Sequence, residues 1–195
     1  MQVERLIENL KDRGFAVSHF VTKEEAAEYL NREIDNTTVG VGGSVTVHEM
    51  GLVPMLETHN EVFWHWKGDD REKGRSSKVY LTSANGVAET GEILNIDGNG
   101  NRVAATLFDK DVVYIIIGKN KIAPDYDQAL WRARNIASPK NAHRLHMNTP
   151  CAVKGDKCYD CRSPERICRG LVVLWEPMYS VGKTEVVIVD EELGF

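Results

Sequence analysis

The sequence predicts an α/β fold: a largely parallel sheet flanked by helices, with a β-hairpin inserted. Three observations carry this expectation. Helical periodicities alternate with short β-branched runs along most of the chain. DVVYIIIG (111–118) is a continuous apolar run, as a central strand buried on both faces requires. Asp97-Gly98-Asn99-Gly100-Asn101 separates two strand-like runs in GEILNIDGNGNRVAATL, and Asp-Gly and Asn-Gly pairs are strong hairpin signals.

The elements follow in order. Val3, Leu6, Ile7 and Leu10 recur at helical spacing, and Gly14 ends that helix. Gly14 to Phe20 is apolar enough for a strand. Thr22-Lys23-Glu24-Glu25 is a capping box opening a second helix, AAEYLNREI. Residues 1–35 thus form an N-terminal, mainly helical segment. TTVGVGGSV is a β-branched strand running into a glycine-rich turn, and Thr46 with Glu49 predicts a capping box for the next helix. VFWHW (62–66) and KVYLTS (78–83) are strand candidates on either side of a charged stretch, 67–78. Beyond the central strand, one helix is expected from about Tyr126 to Ile136 and another from Ser138-Pro139. LVVLW and EVVIVD supply late strands. No repeat, low-complexity tract or linker divides the 195 residues, so one domain is expected, with a core large enough to need no covalent staples.

Composition narrows the function classes. Hydrophobic residues make up 42% of the chain and the net charge is −5, which speaks against disorder and against a general nucleic-acid surface. MQVERLIENLKDRG reads as an amphipathic helix rather than a signal peptide, and no apolar run approaches membrane-spanning length. A cytoplasmic protein is expected.

All four cysteines fall in TPCAVKGDKCYDCRSPERIC, within the segment 149–169, as C-x6-C-x2-C-x6-C. Cys151, Cys158, Cys161 and Cys168 read as one ligand set for a soft metal centre, a [4Fe–4S] cluster or zinc. Zinc sites more often use two close Cys pairs, and only one pair is close here. Two local disulfides are the bland alternative, suited to small secreted domains. Lys154, Lys157, Arg162, Arg166 and Arg169 would offset the charge of four thiolates or simply be solvated. His143 and His146 stand close enough to compete as ligands.

In an open α/β sheet, ligands bind outside the carboxyl ends of the strands. Three such ends carry polar residues here. Gly40, Gly42, Gly43, Ser44 and Thr46 form a turn able to approach an anion, or else serve close helix–strand packing. Asn85 and Glu89 follow the strand at 78–83, and Glu89 reads as a solvated carboxylate or as a base. Lys119 and Lys121 lie just beyond the central strand, and Arg102 beyond the Asn-Gly turn; lysines at such an edge meet phosphate or carboxylate, or only solubilise. Glu49 is a second acid/base candidate. His48 reads as helix surface and His65 as packed in or beside the core. Trp64, Trp66, Trp131 and Trp175 read as core or interface anchors, compatible with a homodimer.

Together, GVGGSVTVHEMGL, LTSANGVAETGEILNIDGNGNRVA, IIIGKNKIAPDYDQALWRARNIASP, the cysteine segment and the ending ELGF resemble the lactate-utilization (LUD) domain family, over nearly the whole chain from about residue 35. The resemblance implies a fold related to ribose-phosphate isomerases, glucosamine-phosphate deaminases and CoA-transferases, in which the glycine turn cradles a phosphate or acyl ligand. Some members act in oxidation of L-lactate to pyruvate within systems containing iron–sulfur components; others are short stand-alone proteins, the type this chain resembles. The cysteine set occurs in only part of the family, so lactate oxidation does not carry over with the resemblance. Three functions are expected in competition. The first is a redox-associated protein of organic-acid metabolism, binding a small anionic metabolite beside a four-cysteine metal centre and exchanging electrons with a partner protein. The second is a hydrolase, isomerase or transferase on a phosphorylated or acyl substrate, with structural zinc. The third is a non-catalytic regulatory or binding subunit.

Overall fold

The computed structural model describes residues 3–68 and 71–195. Its elements run α1 (Val3–Asp12), β1 (Ala16–Phe20), α2 (Lys23–Glu33), β2 (Thr38–Val41), α3 (Val45–Glu49), α4 (Leu52–Leu56), β3 (Glu61–Trp64), α5 (Arg71–Ser76) and β4 (Val79–Thr82). They continue with β5 (Gly86–Ala88), β6 (Ile93–Asp97), α6 (Asn101–Leu107), β7 (Lys110–Gly118), β8 (Ile122–Ala123), α7 (Tyr126–Arg132), α8 (Ser138–Arg144), α9 (Pro150–Lys154), β9 (Gly170–Leu174) and β10 (Val181–Val189). Six strands form a parallel sheet in the order β1-β10-β7-β4-β2-β3, and β8-β5-β6-β9 form a second, smaller sheet. The expected α/β architecture with a largely parallel sheet is what the chain adopts.

The central strands explain their own composition. Tyr114, Ile116, Val187 and Val189 pack with Leu30 of α2, with Ile34 at its C-cap, and with Leu52, Val53 and Leu56 of α4. Val113, Ile115, Ile117, Val186 and Ile188 face the other way, onto Leu6 and Leu10 of α1 and Ala105 of α6. Because successive side chains alternate between faces, a strand covered on both sides must be apolar throughout. Gly40 in β2 has a packing reason: a Cβ there would run into the Gly74 carbonyl oxygen and stand 2.5 Å from Ser77 Oγ.

Two expectations need correction. The antiparallel pair is β5–β6, turning at residues 89–92, and not a hairpin around Asp97–Asn101. Asp97 Oδ1 accepts the N–H groups of Asn99 (3.1 Å) and Gly100 (3.2 Å), and Gly100 at φ 80° starts helix α6 where a strand was expected. The turn chemistry was legible; what it joined was not. Likewise Ser44, not Thr46, caps α3: its Oγ accepts from Val47 N, while Thr46 points inward at 1% exposure. The VFWHW strand ends at Trp64 in a 3₁₀ turn, and part of the charged stretch 67–78, residues 69 and 70, lies outside the described residues. α7 runs through a π-helical turn, residues 133–137, directly into α8. Of the four tryptophans only Trp64 is buried; Trp131 and Trp175 are exposed. Among the described residues no helix is long and apolar enough to cross a membrane.

Candidate functional site

The carboxyl ends of β2, β4 and β7, neighbours in the sheet, open into a cleft of about 400 Å³. The end of β6, helix α8 and the cysteine segment close it from the far side. Gly43, Ser44, Thr46, Asn85, Arg102 and Lys121 all line it, so most of the residues singled out at three separate strand ends do share one crevice. Gly40, Gly42, Lys119, Glu49 and Glu89 do not line it. Gly42 backs the wall, where a Cβ would come within 2.9 Å of Tyr80 Oη and 3.3 Å of Arg102 Cγ. Lys119 is exposed. Glu49 accepts the Gly194 N–H at 2.7 Å, and Glu89 sits in the β5–β6 turn, its carbonyl accepting from Asn9 of α1.

Arg102 is the keystone of one wall. Only 15% of its side chain reaches solvent. Its Nη1 donates to Asn95 Oδ1 (2.7 Å) and Ser83 O (3.3 Å), its Nη2 to Ile96 O (2.7 Å) and Asn85 Oδ1 (3.4 Å), and its Nε lies 3.5 Å from Asp97 Oδ2. Asp97 Oδ2 is buried with no hydrogen-bond partner among the described residues, so that ion pair is its main compensation. Burial lowers the Arg102 pKa and Asp97 opposes the shift. The same desolvation pushes neighbouring Tyr80 up to about 12 and Arg132, which ties Asn120 O to Asn85 O, down to about 10.

Lys121 forms the floor. It is 3% exposed and donates to Thr46 Oγ1 and Ser83 Oγ, both at 2.7 Å. Burial, with Arg132 and Arg102 adding to it, holds its pKa well below the ordinary lysine value. The 3₁₀ turn Lys119–Lys121 explains why one lysine points out and the other in.

Three lining residues carried no functional signal in the sequence: Asp97, Asn141 and Arg144. Ser138, Asn141 and Leu145 stand at helical spacing on the cleft side of α8, a stripe visible only once that face is known. Arg144 stacks on Trp66, 4.9 Å from the ring centroid, and donates from Nε and Nη2 to Asn141 Oδ1. Arg169 donates from Nη2 to Pro164 O. Among the described residues both keep unspent donors. Four guanidinium groups (Arg102, Arg144, Arg166, Arg169) and the Lys121 amine line the cleft, against one acidic side chain, Asp97. His65 and Trp66 complete the rim, whereas His48 packs its ring against Trp64 and Trp66 at the surface.

The four cysteines are free thiols, all partly exposed. They line one small void of about 10 Å³ together with Arg134, Ser138, Pro139, Ala142, Thr149, Arg166 and Ile167. Arg166 Nη2 donates to Cys168 Sγ (3.4 Å), Arg134 Nη2 to Cys158 Sγ (3.8 Å), and Asp160 N to Cys158 Sγ (3.4 Å). Among the described residues no group of three or more His, Cys, Asp or Glu side chains is arranged to hold a metal ion. His143 turns its Nδ1 to Ala152 O and is not part of the void. The cleft and the void share Ser138, Arg166 and Ile167.

Comparisons with known proteins bear on the fold and the family. A DUF162 family protein from Deinococcus radiodurans is similar in structure, with a TM-score of 0.55 at 14% identity over 96% of this chain and 95% of that one. Among curated proteins nothing matches. The family model described as LUD domain matches residues 3–189. Matched over almost its whole length, the chain belongs to the LUD domain family, one associated with lactate utilization.

Proposed function

We propose that the cleft binds a small anionic metabolite, and that the four thiols hold a redox centre immediately behind the cleft wall, as an organic-acid oxidation system requires. The observation that carries this reading is the shared wall. Ser138, Arg166 and Ile167 touch both spaces, so a ligand in the cleft is separated from the thiols by a single layer of side chains. The cleft's four guanidinium groups against one acidic side chain favour carboxylate or phosphate.

The donor set suits iron–sulfur better than zinc. A tetrahedral zinc needs four ligand atoms within about 2.3 Å of a common point, more often supplied by two close Cys pairs, whereas only Cys158 and Cys161 are close in sequence here. A four-iron cluster binds each thiolate at a separate iron, so its sulfurs need only surround a common space, and N–H groups directed at sulfur tune such centres. Arg134, Arg166 and the Asp160 amide supply such donors. A body of that size requires residues 155–169 to draw back from the void. This segment contains no helix or strand, so little regular structure opposes the movement. A cluster bound there would accept or pass single electrons. Cys158 and Cys168 also border a shallow surface depression with Leu171, where a partner protein would approach.

The acid/base reading through Glu49 or Glu89 finds no support, since neither lines the cleft. Thermal-shift titration tests the anion site: lactate, pyruvate and phosphate should raise Tm as ligand exceeds Kd, whereas uncharged analogues should not. Arg144→Ala and Arg169→Ala should each weaken binding by about 10- to 100-fold, the loss expected for one charge-assisted hydrogen bond. Unchanged titrations in both variants contradict the assignment.

A further inference from the structure

Lys121 raises a question that anion binding alone does not answer. A cation meant to grip an anion is usually left partly hydrated or held beside a carboxylate. Lys121 is neither: it is 3% exposed and no ion pair reaches it among the described residues. The carboxylate that acts on it, Glu49, is engaged by the Gly194 N–H, and its cationic neighbours are Arg102 and Arg132.

The hydrogen bonds around it fix a direction. Ser83 Oγ donates to Ile116 O at 2.6 Å, and Thr46 Oγ1 donates to Leu193 O at 3.2 Å. Each hydroxyl has one proton, so both oxygens can only accept from Lys121, each at 2.7 Å. A neutral amine has two N–H bonds, both thereby used. In the neutral form the remaining position on nitrogen is the lone pair, and the residue lines the cleft. Desolvation among cations is the established way to obtain a nucleophilic lysine, and the lowered pKa agrees with that state.

We propose that Lys121 is a nucleophile that forms an imine with the carbonyl carbon of a small 2-oxo acid bound in the cleft. This deepens the anion-site reading and rests on it, with the ligand's carboxylate taken by the spare guanidinium donors of Arg144 and Arg169. The nitrogen lone pair forms the C–N bond, the C=O π bond opens, and one amine proton passes to the carbonyl oxygen, giving a carbinolamine that keeps one N–H. Loss of that oxygen as water leaves the imine, and no electrons are exchanged.

The test incubates the intact chain with pyruvate and then with sodium borohydride, whose hydride reduces the imine to a stable secondary amine. Intact mass should rise by the mass of the acid less one oxygen, and peptide mapping should place the adduct on Lys121. Lys121→Met should abolish the adduct, whereas Lys119→Met, the exposed neighbour outside the cleft, should retain it. Mapping on the unaltered chain keeps the test decisive even if Lys121→Met does not fold. An adduct spread over surface lysines, or persisting in Lys121→Met, overturns the proposal. Thermal stabilisation by pyruvate without trapping at Lys121 overturns the imine but leaves the anion site standing. Absence of both overturns the two together.

Discussion

Replacing Arg102 with alanine is expected to lower the unfolding free energy by about 3–5 kcal/mol, the range for removing one partner of a buried charge network. The side chain meets Ser83, Asn85, Asn95, Ile96 and Asp97. Its loss strands the Ile96 carbonyl, the Asn95 amide oxygen and the buried Asp97 Oδ2, which has no other partner among the described residues. It also removes one of the links between the end of β4 and β6, leaving the Asn85 bonds to Leu94 O and Ile96 N in place. Arg102→Lys should recover only a small part, because an ammonium cannot present the planar set of donors that these acceptors surround. Urea unfolding checks this through the midpoint. Lys119→Ala, exposed and off the cleft, should stay within about 0.5 kcal/mol of the unaltered chain.

The second large effect concerns the cysteine segment. Protein stripped of metal should be cut by trypsin after Lys154, Lys157 or Arg162 at least about tenfold faster than metal-loaded protein, the factor that roughly 1.4 kcal/mol of lost local stability produces. The reason is local. Between the end of α9 at Lys154 and the start of β9 at Gly170 the backbone has no ladder or helix to protect it. What orders it is side-chain contact: Arg166 with the Cys161 and Cys168 carbonyls, and Arg134 with Asp160. A centre joining residues 151, 158, 161 and 168 would tie these four positions together and so restrict opening of the segment. The parallel sheet, with its doubly covered strands β7 and β10, should survive digestion in both states. Equal cleavage rates with and without metal would remove any role of a centre in ordering this segment.

What could be read in advance follows the range of the forces involved. β7 was legible because burial on both faces leaves its mark in eight consecutive letters, Asp111 to Gly118. That the four cysteines gather at one void was legible because they are near in sequence. The sharing of one crevice by Ser44, Asn85, Arg102 and Lys121 followed from a rule about parallel sheets rather than from any motif. The failures are also local in cause. The Asp97–Asn101 turn chemistry suits a helix start as well as a hairpin, and only the packing of Ala105 beneath the sheet decides between them. Thr46 was misplaced by two residues because Ser44 competes for the cap. Lys119 and Lys121 are indistinguishable by type; one 3₁₀ turn sends the second beneath Thr46 and Ser83. Arg144 could not be found, since it reaches the cleft through the path of α8 and its stack on Trp66, a partner 78 residues away.

The central claim is that the four thiols carry a redox centre against the wall of the anion cleft. Iron and acid-labile sulfide analysis of protein prepared without oxygen tests it most directly. The account predicts brown protein containing both elements in near-equal amounts, with both lost when Cys151, Cys158, Cys161 or Cys168 is replaced by serine. Colourless protein holding zinc, or no metal and four reactive thiols, would contradict it.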